Sequence, residues 1–383
     1  MRIVRSSFLA VPTLAAALAC RTPATLVPDP PISGGYVVTL GNDTVSAESY
    51  TRVGDRIDGA VVRRVPRTVV VRYTMTLNAA GLPSRLEYNT RLADGALLPN
   101  GARSIAVTFT GDSAITQIVR DSVTTTRVAA ANAYPDLDGA VSMYALPIAA
   151  LVRMNRDSAR FVAYVPGASS GSPTPVVRKG GNSYWLYSFG NPIEVVTDDR
   201  GHVVSVDGTR TTLRVRTRRQ GAVDVGALAS DFARRERISG PVGSLSPRDT
   251  VNATVGGARF WVDYSRPAAR GRAIFGPNGV LGDTLWRTGA NQSTQFRTDV
   301  AISIAGQTLP PGTYTLTTLA VPGRYQLIFS EGDNERLRVP LQTTTLSSRV
   351  ERFTIAIEPT QERAGRILLR WDTMELAVPF TVP

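Results

Sequence analysis

Between positions 263 and 291 lies a set of side chains whose types suit the capture of an anion or a sugar: Asp263, Tyr264, Arg266, Arg272, Trp286, Arg287 and Asn291. Arginine stays charged at any working pH and grips a carboxylate through paired N–H donors. Trp286 stands among polar neighbours, as expected of a half-buried ring whose N–H finds a partner. The same arginines have a second reading: paired with Asp263, Asp283 or Asp299, they would brace turns instead of a ligand. Gly289-Ala290-Asn291 and Pro311-Gly312-Thr313 carry turn chemistry, because Gly and Asn tolerate positive φ and Pro presets its own.

Other chemistries lack their residues. His202 is the only histidine, and it falls in an expected hairpin, the setting of a surface turn residue. No Gly-x-Ser-x-Gly elbow accompanies it. Cys20 is the only cysteine, so histidine- and cysteine-based zinc sites fail on residue count. Neither a Walker loop nor a dinucleotide-type glycine fingerprint occurs. No cofactor or metal is expected, and the inventory points away from an enzyme. Only a carboxylate pair of the glycosidase kind stays open, since sequence separation does not give distance in space.

The chain has 383 residues, 43% of them apolar, a net charge of +12, and Lys179 as its only lysine. Its length suggests two domains. Residues 1–19 read as a secretory signal: Arg2 and Arg5 precede a short apolar segment, 8–18, too short to span a bilayer. Ala17-Leu18-Ala19 then precedes Cys20. A lone thiol in an exported protein is a liability unless it has a role. At this position it reads as the lipidation point of a bacterial lipoprotein, with ordinary signal cleavage as the alternative. Acyl chains there would anchor the protein at about 0.8 kcal/mol per buried methylene. Residues 20–35 then form the lipidated N-terminus and a Pro-rich tether. Arg21 has no acidic neighbour, which by resemblance to lipoprotein sorting in double-membraned bacteria implies the outer membrane of the cell envelope more than the inner. The expected partners are a membrane, through the lipid, and an unknown small ligand or envelope protein. Nucleic acid is not expected, because the basic residues are not interleaved with stacking aromatics.

The elements that must position the cluster are mainly β. Residues 36–239 read as one antiparallel domain of β-branched runs punctuated by Gly, Asn and Asp turns. Residues 140–154 interrupt it as a buried helix kinked or started at Pro147. A second, amphipathic helix closes it, with Asp224 as N-cap and Val225, Leu228, Ala229 and Phe232 on one face. A sheet of this size with a helix on one face can curl into a half-barrel able to hold an apolar or acyl ligand, or it can enclose a filled core. Arg214, Arg216 and Arg218 recur with the strand period, which predicts one basic face, either solvated or turned to an anionic membrane. Residues 240–253 read as a linker. Residues 254–383 show short strands at regular spacing, the pattern of a β-sandwich.

That last domain also resembles a known family. Asp263-Tyr264-Ser265-Arg266-Pro267, Gly271-Arg272-Ala273-Ile274-Phe275-Gly276, Trp286-Arg287-Thr288-Gly289-Ala290-Asn291 and Leu309-Pro310-Pro311-Gly312-Thr313-Tyr314 occur in the order seen in the bacterial domain of unknown function 2911. The resemblance covers 255–383 and implies no particular activity. Family members usually carry a longer Trp- and Tyr-containing loop where this chain has only 330–334, so a site built on that loop would be altered here. Taken together, the sequence predicts an exported lipoprotein that binds a ligand or partner without catalysis. A carrier of an apolar or acyl ligand and a carboxylate-based hydrolase are the alternatives.

Overall fold

The computed structural model describes residues 31–383 except 189, 212, 213, 277, 278, 283, 284 and 322. The signal, Cys20 and most of the tether lie outside the described residues, as does Asp283. The described chain is mainly β, as its alternating apolar pattern demands, with a fifteen-stranded N-terminal sheet and two smaller C-terminal sheets.

The large sheet is built outward from its first strand, β1 (Ile32–Leu40). On one side follow β2 (Asp43–Val53), β3 (Arg56–Arg63), β4 (Val69–Leu77), β5 (Pro83–Leu92), β6 (Ser104–Phe109), β7 (Ser113–Val119) and β8 (Val123–Ala129). The chain then continues at the opposite end with β9 (Ala133–Pro135), β10 (Ser158–Tyr164), β11 (Ser172–Gly180), β12 (Ser183–Ser188), β13 (Asn191–Thr197), β14 (Val203–Asp207) and β15 (Arg216–Gln220). β15 closes the order by pairing antiparallel with β1, Gly35 opposite Gln220. Laid flat, fifteen strands at about 4.8 Å spacing would hold β8 and β9 about 67 Å apart. Yet only residues 130–132 join them, and four Cα steps of about 3.8 Å span at most about 15 Å. The sheet must therefore roll until its ends meet, although β8 and β9 exchange no ladder hydrogen bonds. It is a curled sheet, not a closed barrel.

Helix α1 (Ala145–Arg153), entered through a single 3-10 turn at Val141–Tyr144, fills the hollow. Pro147 sits in its first turn, where a missing N–H costs nothing. Met143, Ile148 and Leu151 pack there against Tyr36, Met75, Leu86 and Val107, all buried. A space beside α1 measures about 100 Å3, less than the about 150 Å3 of a cavity that holds benzene.

Helix α2 (Val225–Ser239) lies on the outer face. Asp224 caps it, accepting from the Ala227 amide at 2.9 Å, and Val225, Ala229 and Phe232 pack on Ala47 and Val62.

The C-terminal part is a sandwich. One sheet runs β16 (Arg248–Val255), β17 (Ala258–Ser265), β19 (Thr294–Thr298), β22 (Gly312–Val321), β23 (Arg324–Glu331) and β24 (Asn334–Pro340), with the short β18 (Leu285–Trp286) on β22. The other runs β21 (Gln307–Leu309), β20 (Ile302–Ile304), β26 (Ala364–Thr381) and β25 (Gln342–Gln361). Phe260, Phe296, Phe329, Phe353, Phe380 and Trp371 fill the space between them. Residues 248–253, read from sequence as linker, form most of β16, whose Arg248 stands opposite Ser265. The short loop 330–334 is a tight hairpin turn between β23 and β24, with Gly332 at φ 57°.

Candidate functional site

The β1–β2 turn of the large sheet plugs into the start of the motif segment. The Asn42 amide donates to the Arg270 carbonyl at 2.9 Å. Gly41 and Gly271 permit this approach: both have positive φ, and a Cβ on Gly41 would lie 2.1 Å from the Arg270 carbonyl oxygen. The Arg270 guanidinium pairs with Asp43 across the same junction, and its amide donates to Glu351 at 2.7 Å. Beside this plug a cavity of about 460 Å3 opens between the two halves of the molecule. Leu40, Val65, Pro66, Arg210 and Arg214 line it from the N-terminal side, and Arg270, Arg272, Leu281, Leu285, Trp286, Arg287, Asn291 and Trp371 from the C-terminal side.

The charge balance of this lining is one-sided. Among the described residues no Asp or Glu borders the cavity. Among the described residues Arg272 donates only to the main-chain carbonyls of Ala269 and Ala268, at 2.9 and 2.8 Å. Burial, then the charges of Arg214 and Arg270, push its guanidinium down to about 10 despite the opposing pull of Glu351. It remains charged at neutral pH. Arg214 is likewise lowered by burial, and donates to the Thr209 carbonyl at 3.2 Å. Arg287 donates to the Asn291 carbonyl, and Arg210 lies over the Trp185 ring, 5.2 Å from its centroid. Among the described residues, Arg270 alone of the lining arginines has a carboxylate partner. Guanidinium groups held together with so little counter-charge form a ready anion site, since a charge-assisted hydrogen bond to an incoming oxyanion is about twice as strong as a neutral one.

The wall beside the arginines is aromatic. Trp286 donates its N–H to the Gly289 carbonyl at 2.7 Å. Its ring stacks on Trp371, with centroids 5.7 Å apart and planes 24° apart, and meets the edge of Phe353 at 4.7 Å.

The sequence cluster thus divides. Arg272, Trp286, Arg287 and Asn291 border the cavity. Asp263, Tyr264 and Arg266 belong to packing. Asp263 pairs with Arg248 across β16 and β17. Tyr264 is buried, and its hydroxyl accepts from the Ile355 amide at 3.1 Å. Arg266 reaches Asp249, the Phe353 carbonyl and Thr354 at 3.0, 3.2 and 3.0 Å, tying the two sheets of the sandwich. Of the acids expected to brace the arginines, Asp299 holds Arg259 instead, at 2.8 Å.

The basic strand face needs one correction. Arg216 and Arg218 are exposed on β15, on either side of the buried Thr217. Arg214 precedes the strand in the left-handed region, at φ 52°, and this turns it off the common face and into the cavity lining. Sequence reasoning missed Arg210 and Arg270 there. Arg270 sits between two recognised motif pieces, a signal that was present; Arg210 carried none. His202 lies in its turn, 3.1 Å from Asp198, whose carboxylate also takes Arg219 at 3.0 Å. Among the described residues no three His, Cys, Asp or Glu side chains gather as a metal site, and no helix is long and apolar enough to cross a membrane.

Fold and cavity together define a mainly β protein with a cationic pocket between a rolled sheet and a sandwich. Residues 246–380 match a family described as protein of unknown function (DUF2911). This agrees with the resemblance seen in the motifs and extends it back to the foot of β16. A crystal structure of a DUF1089 family protein from Pseudomonas aeruginosa is similar at 13% identity over 43% of this chain and 90% of that chain, with a TM-score of 0.33, a likeness too slight to bear on the fold. No curated protein matches the chain.

Proposed function

We propose that this chain is an exported, lipid-anchored envelope protein that binds an anionic ligand, without catalysis, in the cavity between its two β domains. One observation carries the binding reading. Arg214 and Arg272 come from different domains and border the same cavity, and among the described residues their guanidinium groups donate only to main-chain carbonyls. Structural arginines normally find carboxylates, as Arg248, Arg259 and Arg266 do here. The anchoring reading rests on Cys20 alone and stands apart from the cavity.

The first test is thermal unfolding at fixed ionic strength, with chloride exchanged for acetate or phosphate. A ligand that binds only the folded state raises the unfolding temperature by mass action. The expected shift appears in the natural chain and vanishes in Arg272→Met and in Arg214→Met. A shift equal in all three chains, or none in the natural one, would sink the anion reading. For the anchor, intact mass of the membrane-extracted protein is compared with Cys20→Ala. Acyl mass on an N-terminal Cys20 supports it, and an unmodified soluble chain removes it.

The acidic residues favour the hydrolase alternative less. The most buried described carboxylate, Glu48, is engaged by the Tyr73 hydroxyl at 2.5 Å, by the Ser142 hydroxyl at 2.6 Å and by the Ser142 amide at 2.9 Å, inside the core.

A further inference from the structure

We infer that the anion taken by this cavity carries a flat aromatic body, so that the ligand class is an aromatic carboxylate or phosphate ester. This rests on the anion reading above and narrows it. A bare oxyanion would use the arginine end and leave the rest of a cavity of about 460 Å3 unexplained. That volume lies in the range of small-molecule pockets, about 300–1,000 Å3, which are mostly apolar with a few polar groups that fix orientation.

Three features point to a planar occupant. Trp286 and Arg287 both border the cavity, so an indole and a guanidinium are offered to one occupant. Leu285, the neighbour on its other side, also borders the cavity and is 62% exposed, in a chain where most large apolar side chains on strands are covered. An exposed large apolar residue beside a site is informative in a way that an isolated one elsewhere is not. Finally, the polar groups at hand are themselves planar. Guanidinium and indole faces both stack on aromatic rings, a gain beyond area burial. A flexible alkyl chain gains the area without the stacking.

The test is titration of the full mature chain, followed by intrinsic tryptophan fluorescence and by calorimetry, with 2-naphthoate, octanoate, inorganic phosphate and the neutral 2-naphthalenemethanol as probes. Naphthoate is expected to bind at least tenfold more tightly than each of the others and to quench tryptophan emission. Arg272→Met and Leu285→Ser are each expected to weaken it about tenfold. Leu285 is exposed enough that its replacement should leave the unfolding temperature unchanged, so a folding defect cannot mimic the result. Phosphate or octanoate binding as tightly as naphthoate would overturn the aromatic assignment and leave the anion reading intact. The neutral alcohol binding as tightly as naphthoate would overturn both, as would the absence of binding by every probe.

Discussion

The backbone amide of Asn42, in the first hairpin turn of the chain, donates to the carbonyl of Arg270 in the C-terminal motif segment at 2.9 Å. The two domains therefore touch through main chain, at a point where neither can retreat without breaking a hydrogen bond. The Arg270–Asp43 ion pair reinforces the junction.

This contact makes Gly41 the most sensitive turn residue in the N-terminal domain. Gly41→Ala would place a methyl 2.1 Å from the Arg270 carbonyl, whereas Gly54→Ala, at a similar positive φ, meets nothing within 4 Å. Each carries about 1–2 kcal/mol of left-handed strain. Calorimetry should show Gly41→Ala losing clearly more than Gly54→Ala, with the unfolding endotherm splitting as the domains separate. Equal losses would mean the junction yields without cost.

Arg266 and Arg272 should behave in opposite ways. Arg266→Met removes hydrogen bonds to Asp249, Thr354 and the Phe353 carbonyl, a loss of about 1–3 kcal/mol in chemical denaturation with no change in anion response. Arg272→Met relieves repulsion from Arg214 and Arg270. It also frees two main-chain carbonyls, yet it should cost less than Arg266→Met, and it should abolish the anion response. Finding the reverse would exchange their roles.

Glu48 sets a pH dependence. Burial raises its carboxyl above the ordinary value, although hydrogen bonds from Ser142 and Tyr73 oppose the shift. A carboxyl raised on folding binds its proton more tightly in the native state than in the unfolded one. Its contribution is therefore complete below the ordinary value of 4.5 and lost as pH rises through the higher native one. Across that window the slope approaches about 1.4 kcal/mol per pH unit. Stability measured by urea titration at several pH values should fall more steeply with rising pH in the natural chain than in Glu48→Gln. Parallel curves would show that Glu48 titrates as it does in the unfolded chain.

Asp224 gives a local test. Its side chain caps α2 through the Ala227 amide, so Asp224→Ala should cost about 1 kcal/mol and Asp224→Asn much less. Thermal unfolding of both variants separates a cap from a simple loss of charge.

What could be read in advance was local. The α2 cap and its apolar stripe lie within a dozen residues of one another, and the strands flanking Gly41-Asn42 announce themselves by alternation and a turn. The first half of β25 did not, because most of its side chains are exposed and nothing forces alternation. The 248–255 strand was obscured in the same way, with five exposed or partly exposed polar residues among its eight. At the candidate site, the sequence found the C-terminal half of the lining because its motifs are contiguous. The N-terminal half depends on Arg214 leaving the strand geometry at φ 52°, and on a domain junction between positions 42 and 270. Neither leaves a periodic trace in the residues around it.

The seam between β1 and β15 bears on how the chain comes to be folded. Every other strand of the rolled sheet finds a partner nearer in sequence: β1 to β8 and β10 to β15 can each zip as local hairpins, and β9 joins β10 in parallel across the α1 crossover. Gly35 must wait for Gln220. Closing so long a loop is entropically costly and sets the pace of assembly. Until residue 220 is available, the outer edge of β1 stays open, and the first strand of the domain to be made is the last to be satisfied. A chain of this topology can remain unrolled for as long as its end is withheld.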